Sequence, residues 1–179
     1  MSLAAIALGA NLPSPAGPPE ATLAAAVQCL ASLGRITARS SLYSTAPVGL
    51  LADQPRFLNA VVALETDLAP RDLLDALLTI ERDFCRDRAA TLPNGPRTLD
   101  LDILFYGDLV LGSSSLEVPH PRLAGRAFVL VPLNEIAPDL RDPRSGKTVK
   151  QLLDDLPGRA APEAVARIER DCWTADITR

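Results

Sequence analysis

The sequence contains few aromatic residues, a single histidine and no excess of positive charge. Aromatic residues make up 4% of the 179 positions, so Leu, Val, Ile and Ala must fill most of the core. Lysine and arginine number 18 against 22 aspartate and glutamate residues, which gives a formal net charge of −4. Nucleic acid is therefore not expected as the main partner, because duplex binding normally needs a broad basic face.

Cysteines and long apolar runs are also scarce. Cys29, Cys85 and Cys172 are odd in number and far apart, so neither a disulfide framework nor a cysteine metal site is expected. No run approaches the roughly 20 apolar residues of a membrane span. The apolar start of the chain lacks the basic lead-in of a signal peptide. We therefore expect a cytoplasmic monomer.

The hydrophobic pattern predicts one domain over residues 1–158, followed by a tail at 159–179 that we leave unassigned. Apolar or alternating segments predict strands at residues 3–8, 36–43, 57–66 and 99–105. Helices are expected to begin near Pro18 and at Pro70, where proline suits the first turn. The order β-α-β-β-α-β indicates an α+β, ferredoxin-like sandwich with a mainly antiparallel sheet and helices packed on it.

Asp100 and Asp102 are the most informative pair of residues. In a strand, residues i and i+2 leave the same face about 6–7 Å apart, so both carboxylates share one space. A divalent cation would relieve their repulsion, and oxygen ligands favour magnesium or manganese. The alternative is that both carboxylates lie on an ordinary solvated face of the sheet.

Arginines flank the aspartate pair and favour the metal hypothesis. Arg86, Arg88 and Arg97 come just before it, and Arg126 follows the lone histidine, His120. Guanidinium groups suit phosphate because their planar fork makes two parallel bonds, so carboxylates beside arginines are the parts of a phosphoryl-transfer site. Surface ion pairs with nearby acidic residues are the alternative for the arginines, and an exposed loop position is the alternative for the histidine.

The chain has no glycine-rich phosphate loop of the Walker A type. Any ATP must therefore be bound through side chains and metal.

Several motifs together resemble the 6-hydroxymethyl-7,8-dihydropterin pyrophosphokinase family of folate biosynthesis. The most specific is GPRTLDLDIL at residues 95–104. The others are IALGANL at 6–12, STAPVG at 44–49, DQPRFLNA at 53–60, VPHPRL at 118–123, RAFVL at 126–130 and PLNEIAP at 132–138. The resemblance spans residues 3 to 157.

The resemblance implies a magnesium-dependent transfer of pyrophosphate from ATP to the pterin hydroxyl, with AMP as the leaving group. It implies that Asp100 and Asp102 bind two magnesium ions and that Arg86 and Arg97 are catalytic. The implied ATP-binding residues are Arg88, Ile103, His120 and Arg126. The implied pterin-binding residues are Thr45, Val48, Phe57, Asn59 and Phe128, with the two phenylalanines on either side of the ring.

Some positions depart from the family pattern. Residues 91–94 read TLPN where the family usually has Arg-Trp, and Cys85 replaces a usual glycine. A catalytically weak relative that still binds nucleotide or pterin is therefore an alternative function. A ferredoxin-like RNA-binding module is a third hypothesis, which the acidic composition disfavours.

Overall fold

The computed structural model describes residues 1–47, 54–88, 95–113, 115–157, 165–169 and 173. Its strands are β1 Ser2–Ala10, β2 Arg35–Arg39, β3 Leu42–Thr45, β4 Phe57–Thr66, β5 Asp100–Tyr106, β6 Leu111–Gly112, β7 Glu117–Val118 and β8 Val165–Ile168. Its helices are α1 Pro19–Ala31, α2 Pro70–Asp83, α3 Ala127–Ile136 and α4 Val149–Asp154. Both α1 and α2 begin with proline at the first helical position, as predicted.

The main sheet has the strand order β5-β1-β4-β3-β8, and β2 also pairs with β4. Every pairing in it is antiparallel. The long central strand β1 pairs over its full length with residues 58–66 of β4, and β5 lies on the other side of β1. This arrangement confirms the predicted α+β, ferredoxin-like sandwich.

The two faces of the sheet carry separate cores. On one face, α1 and α2 pack through residues such as Leu23 and Leu77. On the other face, α3 and α4 pack through residues such as Leu130 and Leu152. Within the described residues, no helix combines the length and the apolar character needed to cross a membrane.

The prediction of one continuous strand over residues 36–43 is wrong, because the strand is interrupted at Ser40 and forms the two strands β2 and β3. The Ser40 hydroxyl accepts a hydrogen bond from the Val61 N–H at 2.9 Å and donates to the Ser41 carbonyl at 2.8 Å. A serine side chain that bonds the backbone competes with the regular ladder, so β2 and β3 pair separately with β4.

A bulge interrupts the regular alternation of side chains in β5. Ile103 pairs with Ile6, but Phe105 pairs with Ala5, so Leu104 is an extra residue in the ladder. This bulge turns Phe105 into the α3/α4 core instead of the α1/α2 core that holds Ile103. The aspartates precede the bulge, so it leaves their alternation intact.

The strands after β5 are short. β6 and β7 have two residues each and pair antiparallel with one another. The tail that we left unassigned contributes β8, which adds to the edge of the sheet beside β3.

Candidate active site

Asp100 and Asp102 leave the sheet on the face covered by α3 and α4. Asp100 is opposite Gly9 and Asp102 is opposite Ala7, which packs against the α3/α4 core. Between them, Leu101 is buried in the opposite core. The two carboxylates remain partly exposed, at 19% and 34% of the side chain, and therefore keep free access to ligands.

Three arginines converge on the Asp100 carboxylate. Arg97 Nε lies 3.1 Å from Oδ2, whereas Nη2 of Arg86 and Nη2 of Arg88 lie 3.8 and 3.7 Å from Oδ1. Arg88 is also paired with Glu81, whereas Arg86 and Arg97 share the single Asp100 carboxylate. The three arginines carry one more charge than these two carboxylates. The cluster therefore provides positive charge for an additional anion.

The end of α2 aims Arg86 at this cluster. The Cys85 N–H bonds to the Arg82 carbonyl and the Arg86 N–H bonds to the Glu81 carbonyl, both at 2.9 Å, and Cys85 has φ of 61°. This is the Schellman ending, in which a left-handed residue, usually glycine, reverses the chain. It explains why the family pattern has glycine at the position of Cys85.

Arg86 is the strongest indication of an anionic ligand. Its side chain is 9% exposed, and burial lowers its pKa. Among the described residues, its buried Nε and Nη1 have no hydrogen-bond partner. Buried donors normally have partners, so two of them without one indicate a missing acceptor such as a phosphate oxygen.

Glu81 is a positioning residue that the sequence pattern does not reveal. The residue is 1% exposed, and its carboxylate accepts hydrogen bonds from Arg88 Nε at 2.6 Å and Nη2 at 2.7 Å. It also accepts from the Leu101 N–H at 2.7 Å. Burial raises the pKa of Glu81 and these hydrogen bonds oppose the rise, whereas the bond to Glu81 raises the pKa of Arg88.

Asn11 joins three separate segments beside the site. Its Oδ1 accepts from the Arg97 N–H at 2.8 Å, and its backbone N–H donates to the Arg97 carbonyl at 3.0 Å. Its Nδ2 donates to the Pro55 carbonyl and to Gln54 Oε1, both at 3.0 Å. The IALGANL motif contained this residue, but its spacing gave no sign of the role.

His120 lies next to Asp102. The His120 N–H donates to the Leu104 carbonyl at 3.0 Å, and its Nδ1 accepts from the Arg122 N–H at 3.1 Å. The neutral ring therefore carries its proton on Nε2, which lies 3.9 Å from Asp102 Oδ2. Burial lowers the pKa of His120, against the opposing effect of Asp102, so a neutral imidazole presents an N–H to the site.

A cleft of about 600 Å³ adjoins the arginine cluster. Phe57 and Phe128 both line it, and Asn59 Nδ2 donates to Thr45 Oγ1 at 2.8 Å in its wall. The Arg97 guanidinium lies 4.8 Å from the centroid of the Phe57 ring, which connects the cleft to the cluster. The cleft is thus flat-walled and apolar with polar groups at its edge, as a planar heteroaromatic ligand requires.

Most predicted site residues lie together; the exceptions are Ile103, whose side chain points elsewhere, and Val48, which is not described. Arg126 lies at the cleft, with its guanidinium 5.4 Å from the centroid of the Phe128 ring, and burial lowers its pKa. Ile103 is 4% exposed in the α1/α2 core, so its side chain points away from the cleft and only its backbone could contact a nucleotide. Val48 and residues 91–94, where the sequence differs from the family pattern, lie outside the described residues.

Comparison with known protein families gives the decisive observation. Residues 5–138 match the family model described as 7,8-dihydro-6-hydroxymethylpterin-pyrophosphokinase (HPPK). The chain belongs to the HPPK family. This membership confirms the predicted family, the transferase class and the predicted place in folate biosynthesis.

Similar sequences are also named as pyrophosphokinases. A 2-amino-4-hydroxy-6-hydroxymethyldihydropteridine pyrophosphokinase of Pseudomonas aeruginosa is 48% identical over 152 residues, which cover 85% of this chain and 90% of the relative. A Synechocystis protein of that name is 44% identical over 86% of this chain and 75% of its own length. The protein of that name from Methylorubrum extorquens is 42% identical over 94% of this chain and all of its own.

Solved structures with the same fold come from Plasmodium falciparum HPPK-DHPS. The wild-type structure has a TM-score of 0.66 at 16% identity and covers 86% of this chain. A triple mutant with pteroate has a TM-score of 0.69 at 17% identity and covers 93% of this chain. This HPPK chain spans only 44% and 46% of those two longer chains. The likeness therefore shows the shared fold of the HPPK part.

Proposed function

We propose that this HPPK-family protein transfers the pyrophosphoryl group of ATP to the hydroxymethyl oxygen of 6-hydroxymethyl-7,8-dihydropterin in a magnesium-dependent reaction. One observation carries the proposal. Asp100 and Asp102 leave one face of β5 between a cluster of three arginines and a cleft lined by two phenylalanines. The arginines suit a triphosphate and the cleft suits a pterin, so the carboxylates lie at the junction of the two substrates.

The residues present fit magnesium. Asp102 is 34% exposed and lies 3.9 Å from His120, beyond hydrogen-bond distance, so its oxygens are available to a cation. Among the residues that the structure describes, no group of three or more potential metal ligands occurs. Magnesium commonly uses one or two carboxylates and completes its shell with water and phosphate oxygens. When bound by Asp100 and Asp102, two such ions would neutralise triphosphate charge and polarise the β-phosphate.

The arginines would bind and orient the triphosphate. Arg86 offers two buried donors without a partner among the described residues, and Arg88 is fixed by its two bonds to Glu81. Arg126 lines the adjoining cleft, and the Nε2–H of His120 lies beside Asp102, so both would add donors on the cleft side of the carboxylates. Donors held rigidly where charge develops stabilise the transition state more than mobile groups do.

The cleft would hold the pterin. Phe57 and Phe128 would stack on its two faces, and Asn59 and Thr45 would bond its polar edge. Arg97 now covers one face of Phe57, so the entering ring would displace the guanidinium towards the phosphates. We assign no contact to Val48, which stays a prediction from the family resemblance.

The proposed reaction is a direct displacement at the β-phosphorus. The pterin hydroxyl oxygen forms a bond to that phosphorus, the bond to the oxygen bridging the α- and β-phosphates breaks, and AMP leaves with that oxygen. The hydroxyl proton goes to solvent. Arg86 and Arg97 would stabilise the charge on the transferring group, because both lie within 4 Å of the Asp100 carboxylate.

A coupled assay for AMP tests the proposal, with and without magnesium and with and without the pterin. We expect AMP only when both are present. Asp102→Asn should lower kcat about 100- to 1000-fold, because the lost charge stabilisation amounts to several kcal/mol and each 1.4 kcal/mol is tenfold. Tight pterin or nucleotide binding without AMP formation would contradict the proposal and favour an inactive relative.

We also propose that the protein acts as a cytoplasmic monomer. The described cysteines, Cys29 and Cys85, are free thiols, which suits a reducing compartment. Light scattering during size-exclusion chromatography should give the mass of one chain, and a dimer mass would contradict this part of the proposal.

A further inference from the structure

The tail strand β8 forms part of the cleft, although the sequence pattern gave no prediction for residues 159–179. β8 pairs antiparallel with β3, and the register places Val165 opposite Thr45. Residues directly opposite one another in an antiparallel pair point to the same face. Thr45 lines the cleft and accepts the hydrogen bond from Asn59, so Val165 points into the same space and lines it too.

An anchor on the opposite face of the sheet holds β8 in place. Ile168 packs against the α1/α2 core, and Trp173 is part of that core at 5% exposure. Trp173 Nε1 donates to the Ser40 carbonyl at 2.9 Å. The Arg39 guanidinium lies 4.6 Å from the Trp173 ring centroid and donates to the Trp173 carbonyl. We call Ile168 and Trp173 with these contacts the tail anchor.

The tail anchor and Val165 are separated by the sheet. The anchor uses the α1/α2 face, whereas Val165 uses the face of the cleft, so each can be changed without touching the other. The family match ends at residue 138, so this wall is built by a segment outside that match. Such a segment can alter the shape of the cleft while the arginines and aspartates stay unchanged.

We propose that β8 is an outer wall of the pterin cleft and that Val165 is a specificity-determining residue for the pterin, held in place by the tail anchor. The inference rests on the proposed assignment of the cleft to the pterin. Val165 supplies an apolar, β-branched contact beside the polar edge formed by Thr45 and Asn59. We expect it to affect the pterin more than ATP, because it lies opposite Thr45 at the polar edge of the cleft, whereas the arginine cluster gathers on Asp100.

The test compares full-length Val165→Ala with Val110→Ala, the same change at a position that is 54% exposed. The KM for pterin, the KM for ATP, kcat and the melting temperature are measured for each. For Val165→Ala we expect the pterin KM to rise about three- to tenfold, from the loss of buried methyl groups. The ATP KM should stay unchanged, and Val110→Ala should match the wild type in every measurement.

Two further variants keep the test decisive. If Val165→Ala does not fold, Val165→Thr keeps the volume and the strand preference while placing a hydroxyl against the pterin, and it should also raise the pterin KM. Trp173→Phe keeps a ring but removes the donor to Ser40, and it should raise the pterin KM with no change for ATP. An unchanged pterin KM in Trp173→Phe would overturn the role of the tail anchor.

The results separate this inference from the function on which it rests. A wild-type enzyme that forms AMP, together with a Val165→Ala variant of unchanged pterin KM, overturns the wall and leaves the proposed function standing. Equal rises in both KM values would also overturn it, because they indicate general damage. A wild-type protein that forms no AMP with pterin present overturns the proposed function itself.

Discussion

Replacement of Glu81 by glutamine should destabilise the protein far more than the same replacement in an equally short ion pair on the surface. The buried Glu81 carboxylate accepts two hydrogen bonds from Arg88 and one from the Leu101 N–H. Glutamine keeps one acceptor oxygen and turns the other position into a donor. That donor would face the N–H groups of Arg88 or Leu101 that now bond to the carboxylate.

The magnitude follows from the burial of the two partners. Loss of one member of a buried ion pair costs about 3–5 kcal/mol. Arg88 is 49% exposed, so solvent screens its uncompensated charge and reduces the cost to the lower end of this range or slightly below it. We expect Glu81→Gln to lower the free energy of unfolding by about 2–3 kcal/mol and the melting temperature by about 4–12 °C.

Urea denaturation measures the effect, and Glu65→Gln is the matched control. Glu65 also accepts from an arginine at 2.6 Å, but its partner Arg35 is 68% exposed. Exposed pairs contribute about 0–1 kcal/mol, so the control should change little. If the two glutamine variants unfold within about 0.5 kcal/mol of one another, burial is not what makes Glu81 important and the reasoning fails.

Two further predictions concern the end of α2 and the single histidine. Cys85→Gly should raise the free energy of unfolding by about 0.5–1 kcal/mol, because glycine adopts φ of 61° without strain. Cys85→Ala is the control, since alanine keeps the β-carbon. An equal gain for Cys85→Ala in urea denaturation would contradict the role of the backbone angle. The lowered pKa of His120 contributes stability that is present above its ordinary value of about 6.5 and is lost as the pH falls through the folded pKa. Without magnesium, the free energy of unfolding of the wild type should therefore fall more than that of His120→Gln between pH 7 and pH 5. Equal losses in the two proteins would show that His120 does not cause the pH dependence.

Much of the fold could be predicted because local patterns and tertiary structure agree. The alternation of β4 and the proline starts of α1 and α2 are decided by nearby residues, and the structure confirms them. The break at Ser40 depends on its bonds to Val61, which is 21 positions away in sequence. The bulge at Leu104 depends on the register with β1. Neither partner can be inferred from the segment itself.

The site shows the same division. The spacing of Asp100 and Asp102 predicts a shared face, since strand geometry is local. The burial of Glu81 was missed because its helix carries several charged residues, and only packing against β5 shows which one is enclosed. Val165 was missed because its contribution arises from pairing with β3, more than 100 residues earlier.

The amide of Asn11 has a consequence for how far the two substrates can be from one another. It holds Pro55, two residues before Phe57, and Arg97, three residues before Asp100. A wall of the aromatic cleft and a carboxylate proposed to bind metal are therefore tethered to one small side chain at the end of β1. Redesign for a longer or shorter acceptor molecule would have to begin at this tether, because reshaping the cleft alone leaves the spacing as it is.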